Sequence, residues 1–109
     1  MSDIDLHKYR TGGSRVFSGR EYGSDLRNRL DLEAEDNSAE SVNVIIPEET
    51  LSLNSSFFLG LFGPSVRKLG EVGFRTKYIF VCPTRIRPNI ETGIRRALLT
   101  TNPIDAAVA

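Results

Sequence analysis

Leu53-Asn54-Ser55-Ser56-Phe57-Phe58-Leu59-Gly60-Leu61-Phe62-Gly63 is the most apolar run in the chain, yet it is entered through polar residues, Ser52, Asn54, Ser55 and Ser56. That composition suits a core helix whose first turn lies at the surface. Asn54 is a suitable N-cap, its side-chain oxygen accepting from first-turn N–H groups. Pro64 removes an N–H and crowds the carbonyl of Gly60. The helix therefore either kinks there, or stops near Phe62 with a second helix starting at Pro64. Val66 and Leu69 continue the apolar face, and Gly70 suits a C-terminal stop. Glycines in such a run also let a buried helix approach a neighbouring backbone closely.

Upstream, Val42-Asn43-Val44-Ile45-Ile46 reads as the central strand. Its β-branched residues suit a pleat, and its near-continuous apolarity suits burial on both faces. Pro47 ends it. Downstream, Lys77-Tyr78-Ile79-Phe80-Val81-Cys82 is a second strand, stopped by Pro83. Pro88 suits the first turn of a following helix, whose stripe is Ile90, Ile94, Ala97 and Leu98.

Further out, residues 3–9 alternate polar and apolar and predict another strand. Residues 10–17, with Gly12, Gly13, Arg10 and Arg15, predict a loop. Ser18-Gly19-Arg20-Glu21 fits a capping box, with Phe17 and Tyr22 at the positions of a hydrophobic staple. Tyr22, Leu26 and Leu30 give that helix one apolar stripe, ending near Leu32. Residues 31–41 are acidic and without period, which predicts an exposed loop.

The order strand, helix, three times over favours an α/β layer with at least some parallel pairing and right-handed crossovers. A chain of 109 residues fits one domain, over residues 1–102, with residues 103–109 as a flexible tail. No apolar run reaches the roughly 18–20 residues of a membrane span, and with a polar start no secretory signal is expected. Cys82 is the lone cysteine, which excludes an intramolecular disulfide and fits a cytoplasmic chain. Net charge is zero, yet residues 1–54 carry −5 and residues 55–109 carry +5. The bland consequence is mutual attraction and solvated charge.

Catalytic chemistry is sparse. His7 is the one histidine, far in sequence from Cys82, so neither a metal site nor a cofactor is expected. Cys82 at the end of an apolar strand reads as a small buried hydrophobe. No carboxylate pair stands out from the acidic run, and an enzyme is the least favoured class. Gly12, Gly13, Arg15 and Arg20 have the ingredients of an anion or nucleotide contact before a helix, but lack the phosphate-loop ending and the dinucleotide glycine spacing. Ser55 and Ser56 are better placed. Each reads either as a plain helix-start serine or as a phosphoacceptor, where a phosphate would meet the positive end of a helix.

Two blocks carry a resemblance. One is Phe17-Ser18-Gly19-Arg20-Glu21-Tyr22-Gly23 with Leu26, Arg27 and Leu30; the other is Leu53 to Gly63, running on to Val66-Arg67-Lys68-Leu69-Gly70. Together with the later strand and helix, they resemble the bacterial STAS-like domains, relatives of the anti-sigma-factor antagonists, over residues 4–99. The resemblance implies a small α/β layer with a mixed sheet and helices packed mainly on one face. In the antagonists an Asp-Ser-Ser/Thr-Gly segment starts a helix, and a partner kinase phosphorylates its first serine. Ser55 matches that serine; Asn54 stands in place of the Asp and Phe57 in place of the Gly.

The resemblance thus implies a non-enzymatic regulatory module that docks a kinase or ATPase-type protein. The expected surface is Asn54, Ser55, Ser56, Arg67 and Lys68. A small-ligand or nucleotide-sensing domain is the alternative. Nucleic acid, through the basic stretch from Arg67 to Arg96, ranks last as a partner because no aromatic–basic motif accompanies it. The sequence leaves oligomerisation open.

Overall fold

The computed structural model describes residues 2–10 and 15–108, with side chains at 3–10 and 15–99. Strand β1 (Ser2–Asp5), strand β3 (Val42–Ile45) and strand β5 (Tyr78–Val81) form one sheet with β3 in the centre. Between them come a two-residue strand β2 (Val16–Phe17), helices α1 (Arg20–Leu30) and α2 (Leu32–Asn37), a second two-residue strand β4 (Ser52–Leu53) and helix α3 (Ser55–Lys77). Helix α4 (Arg87–Val108) follows β5 across a 3₁₀ turn at Thr84–Ile86.

Every pairing among the described strands is parallel, where a mixed sheet was expected. The reason is the connection: between β1 and β3, and between β3 and β5, a helix carries the chain back before the next strand of the sheet begins. The register sets Ile4, Val44 and Phe80 in one row, and all three are buried. The alternate rows, Asp3–Asn43–Ile79 and Asp5–Ile45–Val81, are exposed or half-buried. Burial of β3 on both faces is therefore corrected to one. Helices α1, α3 and α4 pack side by side over the covered face, α3 in the middle.

Helix α3 meets both neighbours through glycine. A Cβ on Gly60 would lie 2.2 Å from the Arg20 carbonyl oxygen, and one on Gly23 would lie 2.3 Å from that of Phe57. The backbones of α1 and α3 touch where side chains would normally hold them apart. On the other flank, a Cβ on Gly93 of α4 would lie 2.4 Å from the Phe58 ring. Beneath α3, Phe58, Phe62, Phe74, Tyr78 and Phe80 form a cluster of tilted, edge-on and, for Phe74 on Tyr78, stacked rings with centroids 5.1–6.4 Å apart. Ring geometry of this kind adds to the large apolar area each residue buries.

Helical torsions persist through Pro64, and the break comes instead at Gly70, with φ 77° and ψ 169°. No atom lies within 4 Å of a Cβ built on Gly70, so the backbone conformation alone calls for glycine there. Past the break, Arg75 holds Glu91 of α4 with a two-pronged contact at 2.8 and 2.6 Å.

Three local expectations change. The strand over residues 3–9 ends at Asp5, whose carboxylate accepts from the His7 N–H at 3.0 Å and starts a 3₁₀ turn, Leu6–Tyr9. The N-cap of α1 is Gly19 at φ 99°, not Ser18, and no side chain caps the helix. Phe17 is held extended by β4, which delays the helix, and both Phe17 and Tyr22 pack on Phe57 at 5.3 and 5.2 Å. The acidic stretch is not all loop, because Asp31 in a left-handed conformation ends α1 and α2 follows at once, anchored by the buried Leu32 and Asp36.

Candidate functional site

In a parallel sheet with returning helices, all helix starts lie at the carboxyl edge of the strands, where their positive dipole ends gather. Here the β2–β4 ladder draws two of those starts together. Phe17 pairs with Leu53, the Leu51 N–H donates to Arg15 O at 2.7 Å, and the Asn54 N–H donates to Phe17 O at 2.7 Å. The residues just before α1 are thereby fixed beside the residues just before α3.

Asn54 caps α3 as expected, its side-chain oxygen accepting from the Ser56 N–H at 3.2 Å. The two serines that follow do different things. The Ser56 hydroxyl donates to Asn54 Oδ1 at 3.3 Å and accepts from the Gly19 N–H at 3.4 Å, bridging α3 to the start of α1. The Ser55 hydroxyl faces the opposite flank and accepts from Arg96 Nη1 of α4 at 3.2 Å. Beside it lies an open cleft of about 340 Å³, walled by Ser52, Asn54 and Ser55 on one side and by Pro88, Asn89 and Thr92 on the other.

The remaining expected site residues are scattered. Arg67 and Lys68 are exposed more than three turns along α3 from Ser55, roughly 20 Å away at helical rise. Lys68 donates to the Asn37 side chain, and the Arg67 guanidinium lies over Gly63. Neither joins Asn54, Ser55 and Ser56. Arg15 and Arg20 are exposed on the α1 side, and Gly12 and Gly13 lie outside the described residues. The cation that does reach Ser55, Arg96, was not foreseen. Its sole signal in sequence is a place on the apolar-striped helix that packs against α3.

A second polar group, also unforeseen, is buried in the interior. Asp36 Oδ2 accepts from Arg27 Nη2 and from the Ser65 hydroxyl, each at 2.8 Å, and Asp36 Oδ1 accepts from the Tyr78 phenol at 2.6 Å. Arg27 Nη1 also donates to Ser65 Oγ and to Leu61 O, at 2.8 and 3.0 Å. Burial first, and then the bond to Asp36, push the Tyr78 phenol well above the ordinary range. Both carboxylate oxygens are engaged and the Asp36 side chain is fully buried, so this group ties α1, α2, α3 and β5 together rather than offering a reactive atom. Lys77 does related work at the end of α2, donating to Ser38 O at 3.0 Å and to Glu40 O.

The Cys82 thiol is half-buried against the core, and burial pushes it up. Among the described residues, no group of three or more His, Cys, Asp or Glu side chains is placed to share a metal ion. Nor is any helix long and apolar enough to cross a membrane.

Compared with family models, with curated proteins and with solved structures, the chain matches none.

Proposed function

We propose that this chain is a non-enzymatic regulatory module of the STAS-like kind, docking a kinase or ATPase-type protein at the start of α3 and switched by phosphorylation of Ser55. One observation carries the reading: the Ser55 hydroxyl borders an open cleft at the carboxyl edge of the sheet, with an arginine as its only protein partner among the described residues. Ser56 is spent on holding α3 to the start of α1. A phosphoryl group on Ser55 would add about −1.5 to −2 charge beside a helix start and a guanidinium, both favourable to it. Such a change alters a docking surface while leaving the core intact.

The test uses the tagged full chain recovered from its own host. Phosphate on Ser55 by mass spectrometry is expected, together with an ATPase-domain protein that co-purifies with Ser55→Ala and is lost with Ser55→Asp. Unmodified Ser55 and identical co-purification from both variants would sink the proposal.

The cleft itself favours one alternative, a small-ligand or nucleotide-sensing domain. Thermal-shift titration with nucleoside triphosphates separates the two, since a regulatory docking module gains no stability from free nucleotide.

A further inference from the structure

The Arg96–Ser55 contact lies at the start of α3, where the docking surface is proposed. The two residues are 41 apart in sequence and 3.2 Å apart in space, and they belong to helices that flank the same cleft. Among the described residues, Arg96 has no carboxylate partner, whereas Arg75 is held by two. Its adjacent arginine, Arg95, borders the separate groove of Glu71, Arg75 and Glu91. An unneutralised guanidinium bonded to a neutral hydroxyl is a weak contact. The same guanidinium on a phosphate makes two parallel charge-assisted bonds.

We propose that Arg96 is the reader of a phosphate on Ser55, a clamp that fastens α4 to the start of α3 only in the modified form. The inference rests on the phosphorylation reading above. In the modification, the Ser55 Oγ–P bond forms as the bond from the γ-phosphorus to the bridging oxygen of a nucleoside triphosphate on the partner breaks. The diphosphate leaves, and the hydroxyl proton passes to a base of the partner. The new phosphate then occupies the cleft mouth, with Arg96 on one side and the first N–H groups of α3 on another. Ser56 cannot substitute, because its hydroxyl faces Gly19 and Asn54 on the far flank from Arg96.

The experiment places phosphoserine at position 55 of the full chain during translation and follows its titration by ³¹P NMR, in the otherwise native chain and with Arg96→Gln or Arg95→Gln. A nearby cation favours the dianion, so the second ionisation is expected about half a unit to one unit below the usual ~6. That displacement shrinks in Arg96→Gln and persists in full in Arg95→Gln. Thermal melts expected to rise on phosphorylation in the native chain, and not in Arg96→Gln, give a second readout on folded protein. Equal titrations in the native chain and Arg96→Gln would overturn the clamp while leaving phosphorylation standing. No phosphate on Ser55 in protein from the host would overturn the function proposed above and the clamp's use with it.

Discussion

Gly23 and Gly60 stand face to face where α1 crosses α3, so close that a methyl on either would lie within 2.3 Å of the opposite backbone. Nothing flexible lies in the way that might yield, since the atoms met are main-chain oxygen and nitrogen. Gly60→Ala is expected to cost about 3 kcal/mol, at the upper end of the range for overpacked cores. Gly70→Ala meets no atom but must hold a positive φ with an extended ψ, a conformation confined to glycine, and is expected to cost about 1–3 kcal/mol. Urea unfolding of the two variants checks the order; a milder loss for Gly60→Ala than for Gly70→Ala would contradict the close crossing.

Asp36 holds three donors out of water. Asp36→Asn leaves Arg27 without its carboxylate in a site where its side chain is only 13 % exposed, and is expected to cost about 3 kcal/mol or more. Tyr78→Phe removes a single donor and is expected to cost about 1–2 kcal/mol. The two losses should fall short of additive in the double variant, because both act on one network. Strict additivity in equilibrium unfolding would speak against it.

The same network makes stability fall in alkali. The folded phenol of Tyr78 titrates well above its unfolded counterpart, which loses its proton near pH 10. Below about pH 10 both states keep the proton and the contribution is intact. Above it only the unfolded chain releases the proton, so stability declines as pH rises, by up to about 1.4 kcal/mol per pH unit. Unfolding midpoints between roughly pH 9 and 11 should drop more steeply in the native chain than in Tyr78→Phe; parallel curves would exclude the linkage.

At the start of α3 the two serines and their cap should separate cleanly. Asn54→Ala loses the cap and is expected to cost about 1 kcal/mol. Ser55→Ala, which removes only a hydroxyl at a cleft, should stay within about 0.5 kcal/mol. A destabilised Ser55→Ala with an unchanged Asn54→Ala would reverse the division of labour between structure and site.

Much of this architecture is legible in the residues themselves. The runs at Val42 and Tyr78 are β-branched or aromatic and closed by Pro47 and Pro83, so their strands follow from local chemistry. Ile90, Ile94 and Ala97 keep helical spacing and are all buried. What is not legible depends on partners distant in the chain. Ser18 has the better capping chemistry, but the ladder between Phe17 and Leu53 sets where α1 begins. Asp36 reads as one more solvated acid until Arg27, Ser65 and Tyr78 close on it. Lys68 precedes Arg96 along a charge pattern that looks equally basic throughout, and only the docking of α4 onto α3 selects Arg96. Pro64 predicts a break on its own chemistry, yet the apolar face continues through it and the freedom of Gly70 absorbs the bend.

The all-parallel sheet also has a kinetic meaning. β1 meets β3 across 40 residues, Ser2 to Val42, and β3 meets β5 across 36, Val42 to Tyr78. Among the described strands no hairpin offers a local nucleus, so each pairing must wait for a long loop to close before any ladder bond rewards it. On a ribosome the central strand emerges with one neighbour already made and the other still unsynthesised. Helices satisfy their own backbone without a distant partner, and the crossing of Gly23 on Gly60 joins α1 to α3 without waiting for β5.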